Sequence, residues 1–183
     1  MRRFVVVLVA VCVTATLMGG TAYAKTVPVQ TWVKGVCSTL VDWRDNLDQK
    51  SQDFQTSIAD SKSIPVIKSA FVDFLDSAVS STKSMISNVK ALGTPKVKDG
   101  EAIAGVIANG LGTVQSGFKD ALKTAQGLPT GKAEFQTAVT KLSKKLDASS
   151  NRAGKIFDSA NKKYDTKAVD AARKKNPDCD GLS

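Results

Sequence analysis

Apolar residues recur every three or four positions along this chain. They do so in four long runs, separated by short breaks that hold glycine or proline. That period belongs to the α-helix, and a stripe kept over seven or eight turns must be buried against other helices. The first run is Val29, Val33, Val36, Leu40, Trp43, Leu47, Phe54 and Ile58, reaching to about Asp60. Trp32 and Cys37 widen it, while Asp42, Arg44, Asp45, Asp48 and Lys50 fall on the opposite face. Pro28 suits a first helical turn. Ser61 to Pro65 break the pattern, with Ser63 placed to cap the next helix and Pro65 to enter its first turn. The second run is Ile67, Phe71, Phe74, Ala78, Met85, Val89 and Leu92. Gly93-Thr94-Pro95 stops it, because glycine accepts the left-handed C-cap conformation and proline cannot continue a helix.

The third run, from about Glu101 to Gln126, carries Ile103, Ile107, Leu111, Val114, Phe118, Ala121 and Leu122. Gly127-Leu128-Pro129 ends it, and Thr130 can cap the fourth. That helix runs to about Lys163 through Phe135, Ala138, Leu142, Leu146, Ala153, Ile156, Ala160 and Tyr164. Asp165 or Thr166 can then cap a short helix holding Ala168, Val169 and Ala172, and Asn176 to Ser183 form a terminal turn. No strand-period segment competes. The pattern predicts an all-α chain, an antiparallel up-down-up-down four-helix bundle with helices 1 and 4 adjacent and a short C-terminal helical segment.

The first residues do not belong to this pattern. Arg2 and Arg3 precede an apolar run from Phe4 to Val13, and Ala22-Tyr23-Ala24 places small residues where a signal peptidase reads. This predicts a secretory signal peptide over residues 1–24, cleaved after Ala24. A membrane anchor needs about 20 predominantly apolar residues, and Thr14, Thr16, Gly19 and Gly20 interrupt this run. Cys12 lies too early in it for a lipoprotein site. One domain, residues 25–183, remains, large enough for a real core.

The whole chain carries +9, and the loss of Arg2 and Arg3 leaves +7. The surplus lies late, with twelve Lys/Arg against seven Asp/Glu from Lys132 to Ser183. It is either a solvated lysine face or an attraction to an anionic envelope polymer or lipid head group. Nucleic acid fits poorly, since the basic part has little arginine and few aromatics for base stacking.

Cys37 and Cys179 remain after export. In an oxidising compartment an even pair defaults to a disulfide. Two free thiols or a bridge to another chain is the alternative. A closed loop of this size is worth on the order of 4–5 kcal/mol in the chain-entropy treatment.

The third helix holds Gly105, Gly110, Gly112 and Gly117, spaced by seven within each of two pairs. Each mid-helix glycine costs about 1 kcal/mol relative to alanine. Either a neighbouring helix approaches closely, under Trp32 or Trp43, or a weak helix opens a cavity. In the second case Trp32, Trp43, Gly105 and Gly112 would form the wall of an apolar ligand site.

Three segments carry a family resemblance: Trp32-Val33-Lys34-Gly35-Val36-Cys37 with Trp43, Gly93-Thr94-Pro95-Lys96-Val97-Lys98-Asp99-Gly100, and Pro177-Asp178-Cys179 with Leu182. Together they resemble a group of small exported or lipid-anchored helical proteins of actinobacteria. The resemblance implies an envelope or extracellular location and a Cys37–Cys179 pairing that staples the C-terminal segment to the first helix. It brings no activity and no catalytic residue, and this chain lacks the lipid-anchor cysteine of the anchored members.

Histidine is absent, which removes Ser-His-Asp and Cys-His sites and the usual zinc ligand sets. S-x-x-K occurs at Ser80–Lys83, Ser87–Lys90, Ser116–Lys119 and Ser159–Lys162 without S-D-N or K-T-G partners. Asp42, Asp45, Asp73 and Asp76 are common acids on or beside polar faces. Asn176, Asp178, Asp180 and Gly181 match the start of a calcium loop, but the chain ends before its bidentate glutamate. The sequence therefore predicts no catalytic, metal or cofactor residues. It predicts a secreted, non-enzymatic bundle acting through its surface, or alternatively a carrier of an apolar ligand in the bundle interior.

Overall fold

The computed structural model describes residues 25–182; the predicted leader, with Cys12 and its cleavage site, lies outside them. The elements in order are β1 (Thr26–Val27), α1 (Val29–Ile58), α2 (Ile64–Ala91), β2 (Thr94–Pro95), α3 (Gly100–Gln126), α4 (Lys132–Lys163), α5 (Lys167–Lys174) and a 3-10 turn, Pro177–Leu182. The chain is thus mostly helical, and a fifth helix follows the four long ones.

The helix ends follow the local chemistry, with small shifts. Pro28 sits just outside α1, where its carbonyl accepts the Trp32 N–H at 3.0 Å. Ser63 precedes α2 in an extended conformation and makes no side-chain cap bond, with Pro65 in the first turn as expected. Gly131 rather than Thr130 precedes α4, and Thr166 precedes α5. At the far end of α2, Gly93 takes φ +81°. A side chain there would be strained, and its Cβ would run into the Lys25 carbonyl.

That turn holds a feature the periodicity did not predict. Thr26 and Val27 pair in parallel with Thr94 and Pro95. Thr94 N–H donates to Lys25 O at 2.9 Å, and Lys96 N–H donates to Val27 O at 2.7 Å. Pro95 is tolerated because the donors are the residues on either side of it. A ladder of two residues is too short to leave an alternating pattern, so only the folded chain reveals it.

Along α1, Trp32, Trp43 and Phe54 meet Gly93, Thr82 and Phe71 in turn. The partners descend as α1 ascends, so α1 and α2 run antiparallel. The extended packing continues α2 on α3 and α3 on α4, while α5 and the 3-10 turn pack on α1. The expected adjacency of helices 1 and 4 is not among these contacts. Two separate cores account for this. The first joins Trp32, Val33, Val36 and Cys37 of α1 to Met85, Val89, Ile103 and Leu111, and is closed by Ala172 and Cys179. The second joins Leu75, Ala121, Ala125, Leu128, Phe135 and Leu142 and includes no residue of α1. The C-terminal segment packs on α1 and closes the first core there.

Cys37 and Cys179 form a disulfide, with their Cα atoms 5.1 Å apart. Both sulfur-bearing residues are buried in the first core.

Candidate functional site

The site-forming pair is α3 and α4, and glycine decides how closely they approach. A Cβ at Gly110 would run into the Phe157 ring, and one at Gly117 would lie 2.6 Å from the Ser149 Cβ. These two glycines therefore admit α4, not Trp32 or Trp43. Gly105 and Gly112 differ: a Cβ at either meets nothing within 4 Å. The seven-residue spacing hides two roles, one pair packed and one pair open.

Beside Gly117 the close approach leaves a surface cleft of about 390 Å³. Ser149 lies at its floor, only 4 % exposed. Arg152 Nη2 donates to the Ser149 hydroxyl at 2.8 Å, which holds the guanidinium over the cleft. Lys123 and Lys145 line the walls with Asp120. A second cleft, about 360 Å³, continues along α4 past Val106, Lys155, Ile156, Lys163 and Tyr164. A third, about 390 Å³, lies toward the start of α4 with Glu134, Thr137 and Lys141.

Seven of the eight α4 cations are phased to this line of clefts; Lys132, the first residue of the helix, is not. At 3.6 residues per turn, Lys141, Lys144, Lys145, Arg152, Lys155, Lys162 and Lys163 fall within about 100° of arc. All seven are exposed. Phe135, Leu142, Ser149, Ala153 and Ala160 mark the buried face beside them. Asp147 and Asp158 lie on the other flank, and Glu134 in the first turn is the one α4 acid in line with the stripe. Among the described residues the ion pairs are Arg44–Asp45 and Lys50–Asp53, both in α1. Among the described residues no α4 cation has a carboxylate partner, although Lys163 stands 5.3 Å from the Tyr164 ring centroid. Asp120 and Glu134 line the same clefts without pairing to these cations, and the flank keeps a cationic surplus.

The residues singled out by the sequence are dispersed. Trp32 is 1 % exposed, and its Nε1 donates to Gly93 O at 3.0 Å. Trp43 is half-buried; its Nε1 donates to Thr82 Oγ1 at 3.1 Å, and that hydroxyl donates to Ala78 O at 2.7 Å. Trp43 lines a cleft of about 180 Å³ between α1 and α2, with Asp42, Asn46, Ser81 and Asn88 around it. Gly105 is exposed and Gly112 half-buried on α3. The four do not converge on one cleft.

The serines and lysines of the S-x-x-K matches are exposed, as are Asp42, Asp45, Asp73 and Asp76. Asn176 Oδ1 accepts the Asp178 N–H at 3.3 Å, and Asn176 Nδ2 donates to Cys179 Sγ at 3.4 Å, so this turn presents the disulfide. Among the described residues no His, Cys, Asp or Glu gather in threes as metal ligands. Asp53 is held below the ordinary carboxylate range, first by the Gln49 amide and then by Lys50. It belongs to the α1–α2 cleft with Phe54 and Phe74, away from α4.

Counting charges identified the basic last third but missed its order. The phase of the lysines at helical period was the signal that could have found it. Gly117, Ser149 and Arg152 needed the packed pair. No protein-family model, curated protein or solved structure matches the chain.

Proposed function

We propose that this is an exported, non-enzymatic helical protein that acts through its surface at the cell envelope or outside the cell. It would engage an anionic envelope polymer or lipid head group along the α3–α4 groove. The observation that carries this is the α4 stripe: exposed cations on one flank with no carboxylate partner among the described residues. The buried disulfide fits an oxidising compartment, and no described helix is long and apolar enough to cross a membrane. The leader predicted over residues 1–24 and the sequence resemblance to small exported actinobacterial proteins support the same location. The finer architecture proposed is an up-down-up-down antiparallel set of four helices, with α5 and the 3-10 turn stapled back onto α1.

A carrier would need an enclosed apolar cavity of several hundred Å³. The clefts here lie at the surface, the central one and the one beside Trp43 are lined mainly by charged and polar residues, and Trp32 fills the core. These observations favour surface binding over a ligand held inside.

The test is recovery of the native protein from host fractions, followed by a pull-down with envelope material at moderate salt. Retention released by higher salt is expected. Recovery only from the cytoplasm, or no retention by any envelope fraction, would refute the proposal.

A further inference from the structure

The surface-binding function proposed above leaves the shape of the anion open. The geometry points to an unbranched polyanion lying lengthwise along the α4 stripe, across the three clefts, in place of a single anion or a flat membrane. From Lys141 to Lys163 the stripe runs 22 residues, about 33 Å at 1.5 Å per residue. Its cations are strung along the axis at steps of roughly 1.5–11 Å, with Lys144–Lys145 and Lys162–Lys163 as adjacent pairs, and do not converge on one point. A lone phosphate could meet Arg152, Lys145 and Lys123 in the central cleft, but it would leave Lys141, Lys155 and Lys163 unused. A chain bearing one anionic group per repeat meets all of them.

A membrane-docking helix pairs its cations with exposed bulky apolar side chains that enter the head-group region. Among the described residues the large apolar side chains that stand exposed are Val66 and Leu182, and neither is on α4. Two of the three clefts lie between α4 and α3, and all three follow the α4 axis, which suits a narrow strand better than a plane. Arg152 gives the strip a fixed point, because its hydrogen bond to buried Ser149 holds it in place. Asp120 lies within the central cleft and Glu134 in line with the stripe near its start, so both limit where anionic groups can sit.

The test uses the disulfide-bonded protein and three probes: long-chain polyphosphate, a linear polyuronate, and vesicles of phosphatidylglycerol in phosphatidylcholine. The first two separate phosphate from carboxylate repeats. The doubly reversed Lys145→Glu/Arg152→Glu variant should bind the polymer on the order of 10-fold more weakly, with a shallower salt dependence. Lys62→Glu/Lys98→Glu makes the same charge change at exposed residues off α4, and it should stay within about 2-fold. If circular dichroism shows that the reversed variant has lost its helices, Lys141→Gln/Lys155→Gln replaces it.

Equal weakening by both pairs would reduce the effect to net charge and overturn the stripe. Tripolyphosphate binding as tightly as the long chain would point to a single-anion site, and vesicle binding without polymer binding would point to a membrane; either rejects the proposal. Loss of polymer binding while envelope retention persists removes the stripe and leaves the proposed function standing.

Discussion

Trp32 does two things with one side chain. Its ring fills the first core, and its indole N–H satisfies the carbonyl of Gly93 at the end of α2. Trp32→Phe keeps most of the volume and removes the donor, leaving that carbonyl without this partner. The expected loss is about 1–3 kcal/mol, read as a lower midpoint in urea unfolding. Gly93 is sensitive for a different reason. With φ +81° and the Lys25 carbonyl where a Cβ would stand, Gly93→Ala strains the turn and pushes β1 away. A cost of at least 1–2 kcal/mol is expected, roughly the left-handed penalty for an L-residue, with the clash added to it. Hydrogen exchange should show faster exchange at the Thr94 and Lys96 amides, which donate to β1.

At the scale of the element, α3 is the informative helix. Gly117→Ala forces a Cβ against Ser149, and Gly110→Ala forces one against Phe157. Overpacking a helix contact typically costs 1–3 kcal/mol, so each should lower the melting temperature. Gly105→Ala and Gly112→Ala put a methyl group into open space. There the better helix former should stabilise by about 0.5–1 kcal/mol. The two pairs should therefore shift the melting temperature in opposite directions. Equal shifts would mean that α4 does not sit on Gly110 and Gly117. The same contact sets the candidate site, because Gly117 brings Ser149 to the floor of the central cleft, where it holds the Arg152 guanidinium.

Across the whole molecule the disulfide joins residues 142 positions apart. It holds α5 and the 3-10 turn on α1, where Ala172 and Cys179 close the first core. The doubly substituted Cys37→Ser/Cys179→Ser protein should lose on the order of 4–5 kcal/mol of stability by the chain-entropy relation. Exchange should rise first in Lys167–Leu182 and the start of α1, while the second core, which shares no residue with α1, keeps its protection. Simultaneous loss of both cores would show that they unfold as one unit.

The helices were legible in the chain because burying a stripe needs only local periodicity, and the stops at Gly93 and Gly127 are local chemistry too. The short ladder at Thr26–Val27, the separation of the two cores and the place of the C-terminal segment on α1 were not. Each depends on which residues distant in sequence come to lie side by side, and a stripe says how much must be buried without saying against what. The charge of the last third was visible as a count. Its order on α4 follows from helical phase, but the groove that gives it a shape exists only because Gly110 and Gly117 let α4 settle against α3.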